Sequence, residues 1–159
     1  MRQANEFFQN FQKNTIGSIN TCLIGIIERF DAQKMKADVV LVPDGDLVVG
    51  VPVATLQTSE FYIRVPYKQG DPVLVIFAQR DIDGVFRGGS ATQSQRMLSL
   101  DDALVIGGVN FYTAPPLPAE NSGDLVIGKR NGKSKIVLNT SNDDIEVTCK
   151  DFKVNGRVL

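Results

Sequence analysis

At 159 residues the chain suits one compact domain, or one domain with a short appendage. Apolar residues make up 43% of it, enough to bury a core, and 17 basic residues stand against 18 acidic ones, a balance that argues against nucleic acid as a partner. Histidine is absent, which removes the usual general base, the commonest transition-metal ligand and every Ser-His-Asp or Cys-His arrangement.

The N-terminus, MRQANEFFQNFQK, lacks the apolar core of a signal peptide. Residues 3 to about 14 instead read as an amphipathic helix, with Ala4, Phe7, Phe8 and Phe11 on one face and Gly17 ending the pattern. Three phenylalanines on so short a helix demand burial. The helix either caps its own domain's core or docks on a neighbour through Phe7, Phe8 and Phe11.

From Asn20 the period changes from 3.6 to 2. Thr21 to Phe30, Lys36 to Val42, Leu47 to Ala54, Phe61 to Val65 and Pro72 to Gln79 read as strands, separated by turns at Asp31 to Lys34, Pro43 to Asp46 and Gln69 to Asp71. Five short strands in so compact a stretch predict a small antiparallel barrel of the oligomer-binding (OB) type over residues 20–112, following an N-terminal helix and lead-in over 1–19. The Arg87 to Arg96 stretch reads as a polar surface loop. Met97 to Val109 predicts a short helix with Ser99 as N-cap and Asp101 and Asp102 in its first turn, stopped by Gly107-Gly108.

Residues 113–123 hold Pro115, Pro116 and Pro118 without apolar period and read as a stiff linker. Over 124–159 come short alternating strands, with Asn155-Gly156 as a late turn. Each strand has one apolar face, yet so few residues cannot close a core alone, and bare edges aggregate unless paired. Three copies intertwined about an axis would bury every inward face, as a trimeric β-helix or prism with Ile136, Leu138, Ile145, Val147, Cys149, Phe152 and Val154 as its core. A hairpin packed back onto the barrel is the alternative. The expected fold is therefore mainly all-β.

Cys22 and Cys149 lie in apolar runs and read as free buried thiols, with a disulfide as the alternative; two isolated thiols cannot supply a structural zinc site. No metal, cofactor or catalytic residue is expected. The carboxylate pairs Asp81/Asp83, Asp101/Asp102 and Asp143/Asp144 suit turns and caps better than a glycosidase, whose carboxyl groups face each other across a cleft. Phe61, Tyr62 and Tyr67 with Arg64 and Lys68 form the one cluster suited to stacking single-stranded nucleic acid or carbohydrate, which makes an OB-type binding module the competing function.

A series of segments in fixed order resembles the central baseplate spike family of contractile-tailed phages, the membrane-piercing proteins with an OB-type barrel and a trimeric β-helix. These are Glu28-Arg-Phe-Asp31, Ala37-Asp-Val-Val40, Gly50-Val-Pro-Val53, Val65-Pro66, Gly70-Asp71, Val73 to Phe77 with Gln79 to Asp83, and Arg96-Met97 with Leu100 to Gly107. The resemblance implies a virion protein of the tail baseplate, assembled in the host cytoplasm as a homotrimer. Its barrel would join the tail hub, and its shaft would be driven into the host cell envelope on contraction. A tailocin or secretion-machine spike shares that architecture. Many such spikes end in a His-x-His needle that binds iron; this chain has no histidine, so the resemblance leaves a blunt tip, a separate tip protein or a shortened chain.

Overall fold

The computed structural model describes residues 2–17, 19–89, 94–154 and 157–158, and divides into two compact units, Met1–Phe111 and Tyr112–Leu159. The expected mainly antiparallel β fold with an N-terminal helix holds.

The first unit begins with helix α1, Arg2–Gly17, one turn longer than its apolar period predicts. Five strands follow: β1 (Cys22–Asp31), β2 (Lys36–Val42), β3 (Leu47–Pro52), β4 (Pro72–Phe77) and β5 (Ala103–Gly108). They are hydrogen-bonded in the order β3-β2-β1-β4-β5. A parallel bridge from Val53 to Val105, with the Ala54 N–H donating to the Val105 carbonyl at 2.7 Å, joins the two outer strands. The sheet is thus rolled into a partly closed five-stranded barrel.

Strict alternation fills that barrel. Ile27, Val39, Leu41, Val51, Val53, Val73, Val75, Phe77 and Val105 point inward and are buried, while Leu74 and Ile76 on the outer side of β4 are half-buried. Register irregularities at Ile27/Arg29, Ala37/Val39 and Leu74/Val75 curl the sheet enough to close it. Asp38 fixes one of them, accepting from the Gly50 N–H at 2.9 Å and from Arg29 Nε at 2.8 Å, so that one carboxylate spans three strands. Gly25 leaves no free room for a side chain: a Cβ on it would run into the methyl groups of Val39 and Val75, which would have to shift.

Two elements depart from the sequence reading. Phe61 to Val65 is not a barrel strand. The chain from Thr55 to Ile63 forms a small hairpin arm instead, bridged at Gln57 and Tyr62. The fifth strand is β5, inside the segment that reads as a helix. Ser99 does cap, its Oγ accepting from the Asp101 N–H, but the turn it starts is one 3-10 turn, Leu100–Asp102. The Ala103/Val105 alternation and pairing with β4 then override helix continuation.

The second unit contains a three-stranded antiparallel sheet, β6 (Leu125–Gly128), β7 (Lys135–Leu138) and β8 (Ile145–Thr148), and a two-stranded hairpin of β9 (Lys153–Val154) and β10 (Arg157–Val158). The expected Asn155-Gly156 turn lies outside the described residues.

Candidate functional site

The three-stranded sheet has two unlike faces. On one, Leu125, Leu138 and Ile145 form a cross-strand row, and Ile127, Ile136 and Val147 form a second. All six are exposed, from 40% at Leu138 to 70% at Ile145. On the other face Val126, Val137 and Glu146 stand in a row, and Val137 is completely buried.

The difference comes from residues 115–124, which take in most of the expected linker over 113–123 and the first residue of the expected shaft and are clasped to the sheet. Lys135, on the Val137 side of β7, donates to Asn121 Oδ1 at 2.8 Å and pairs with Glu120 at 3.3 Å. Asp124 accepts from the Thr140 N–H and from Asn121 Nδ2, each at 2.9 Å, and Arg130 Nη1 donates to the Pro115 carbonyl at 3.0 Å. The Thr140 and Asn121 hydrogen bonds hold the Asp124 carboxyl below its ordinary range. Gly128 lies against Lys135 and Ser134 too closely for a Cβ. The Val137 side is therefore covered by the chain itself only around β7, with Val126 still 41% exposed, and the other face is an apolar surface without a cover.

Of the residues expected in a shaft core, Ile136, Leu138, Ile145 and Val147 lie together on that bare face. Cys149 and Phe152 follow it and are also exposed; the Val154 side chain lies outside the described residues. Leu125 and Ile127 complete the face and were missed, although the same alternation marks them. Phe7, Phe8 and Phe11 are exposed on α1, the first two edge-on at 5.7 Å between ring centres.

Both cysteines are free but exposed, not buried as their apolar surroundings suggest. Neighbouring apolar residues along a strand alternate between faces, and Cys22 and Cys149 fall on open ones.

The barrel holds a second cluster that the sequence conceals. Arg96 Nη2 reaches Asp81 at 2.9 Å and Asp83 and Asp102 at 3.0 Å each. Asp81 also accepts from the Ser94 hydroxyl at 2.6 Å and from the Asp83 N–H. The Ser94 bond foremost lowers its pKa, while Asp83 and then Asp102 raise that of Arg96. The expected loose polar loop thus ends in an anchored guanidinium. Its geometry is that of a structural clamp: the central cation occupies the point on which the carboxylates converge. No group of three or more His, Cys, Asp or Glu residues among those described is placed to hold a metal ion. No described helix is long and apolar enough to cross a membrane.

The aromatic cluster considered for stacking is not brought together as a platform. Tyr67 packs edge-on against Phe30 with ring centres 5.5 Å apart, and burial, with the Asp71 charge adding, raises its pKa. Arg64 sits over the Tyr62 ring at 5.8 Å and donates to the Ala32 carbonyl.

None of the curated proteins matches the chain. The family described as phage protein Gp138 N-terminal domain matches residues 23–108, which run from the second residue of β1 to the end of β5 and make up more than half of the chain. The chain therefore belongs to the family of the phage protein Gp138 N-terminal domain, and the setting this gives it is that of a phage structural protein.

Proposed function

We propose that this protein is the central spike subunit of a contractile phage tail or a tail-like machine, acting as a homotrimer. The barrel attaches to the tail hub, and the second unit forms the shaft that contraction drives into the host envelope. The observation that carries this reading is the bare face of Leu125, Ile127, Ile136, Leu138, Ile145 and Val147. Six apolar side chains contiguous on one sheet face suit a contact surface, because burying them removes apolar area from water at roughly 25 cal/mol per Å². A single four-residue-strand sheet has no second layer to offer. Three copies facing a common axis supply each other with one, and interlocked strands resist axial load because many backbone bonds must break together.

The role is mechanical, with no catalysis, metal or cofactor, and the partners are its own copies, the hub, the host envelope and a separate tip protein if the shaft is capped. Family membership supports the phage setting. Native mass spectrometry tests the assembly: the expected species has three times the 17.4 kDa chain mass, and a clean monomer at micromolar concentration sinks the reading.

A further inference from the structure

The hairpin arm, Thr55 to Ile63, is a built structure. The Thr58 N–H donates to the Phe61 carbonyl at 2.7 Å, and the Ile63 N–H to the Leu56 carbonyl at 2.9 Å. Thr58 Oγ1 accepts from the Glu60 and Phe61 N–H groups, and the Thr55 hydroxyl donates to the Ile63 carbonyl. Such a turn holds its side chains in fixed directions, yet Leu56 is 76% exposed and Phe61 73%. Phe61 supports nothing in its own barrel. Beside it at the tip stands Glu60, whose carboxylate makes no ion pair among the described residues.

Next to the base of the arm lies a cleft of about 350 Å³ between β3 and helix α2 (Asp83–Phe86). Met35, Val49 and Phe86 give it apolar walls, and Lys34, Lys36 and Arg87 line it with positive charge. Its two carboxylates, Asp83 and Asp101, are directed to Arg96 at 3.0 and 3.9 Å. Lys36 and Arg87 make no ion pair among the described residues. Gln57 at the arm's base lines the cleft, whereas Glu60 and Phe61 at its tip do not. The tip does not line its own cleft.

An anionic aromatic tip and a cationic apolar cleft that do not meet within one chain are complementary between two. We propose that the arm of each copy seats Phe61 in the cleft of the next copy, with Glu60 against Lys36 and Arg87. This inference rests on the homotrimer reading and adds a subunit contact within the barrel. A contact of this head-to-tail kind uses different surfaces on its two sides and closes into a ring when the rotation permits. A buried aromatic anchor with a charged pair beside it is the kind of small cluster that dominates an interface.

The test uses the full chain with Cys22→Ser and Cys149→Ser, carrying Glu60→Cys and Arg87→Cys. Oxidation is expected to give disulfide-linked species of two and three chains on a denaturing gel. Separately, Glu60→Lys should raise the concentration at which the trimer dissociates by about tenfold or more. Adding Lys36→Glu and Arg87→Glu should restore it, which a merely structural role of the arm does not allow. Phe61→Leu, with circular dichroism unchanged, should weaken the trimer too. A chain that is trimeric by native mass but forms no cross-link between chains, or that Glu60→Lys leaves unaffected, overturns the arm contact and leaves the trimer standing. A monomeric parent chain overturns both.

Discussion

Arg96 reaches Asp102 with one terminal nitrogen at 3.0 Å, and that carboxylate is completely buried at the end of the turn that leads into the barrel's fifth strand. Asp102 Oδ1 also accepts from the Ile82 N–H at 3.1 Å, so this pair ties the start of β5 to the segment after β4. Asp102→Ala takes one of three close carboxylates from the guanidinium and leaves the Ile82 N–H without its acceptor. A loss of about 1–3 kcal/mol in barrel stability is expected, read from the urea midpoint. Asp102→Asn, which keeps an oxygen for the Ile82 N–H, should cost less.

Acid should loosen the same cluster. The Ser94 hydroxyl and the Asp83 N–H lower the folded-state pKa of Asp81 below its ordinary 3.8, with Arg96 adding to the effect. A depressed carboxyl contributes stability that is fully present above the unfolded value and lost as pH falls through the folded one. The urea midpoint should therefore be flat above about pH 5 and fall below pH 4, and Asp81→Asn should flatten that fall. Asp124 in the second unit is lowered for a parallel reason, so hydrogen exchange should show Thr140 losing protection in the same acid range.

Gly25 measures how tightly the barrel is filled. Gly25→Ala places a methyl group against Val39 and Val75, and the buried neighbours must shift to admit it. A destabilisation of about 1–3 kcal/mol is expected from thermal unfolding.

Ile145 separates the single chain from the assembly. It is so exposed that Ile145→Lys should change the stability of an isolated chain by no more than about 0.5 kcal/mol. In a trimer that buries this face the same change places three ammonium groups in an apolar core. The expected result is monomer by native mass with the circular dichroism spectrum of the parent.

Alternation carried most of what the sequence reveals. Ile27, Val39, Leu41, Val73 and Val75 follow from it, and so does the common side of Ile136, Leu138, Ile145 and Val147. It failed at Phe61 to Val65, where apolar residues serve a projecting arm and not a core, so hydrophobicity marked the wrong strand. At Ala103 to Gly108 the Ser99 cap and two aspartates mimic a helix start, and only the free edge of β4 makes the segment a strand. The Arg96 clamp was illegible because its carboxylates come from both ends of a polar stretch that looks featureless in sequence. The burial of Val137 was hidden as well, since its cover is drawn from a proline-rich segment with no period of its own.

A β-sheet with two sticky sides is a template without an end, since each layer added presents a fresh one. Here the residues from Pro115 to Asp124 act as a backing at Val137, so that the continuous apolar rows stand on one side. Copies that meet through that side use it up, and no surface of the same kind is left outside. Stacking of face on face would then have a natural stopping point.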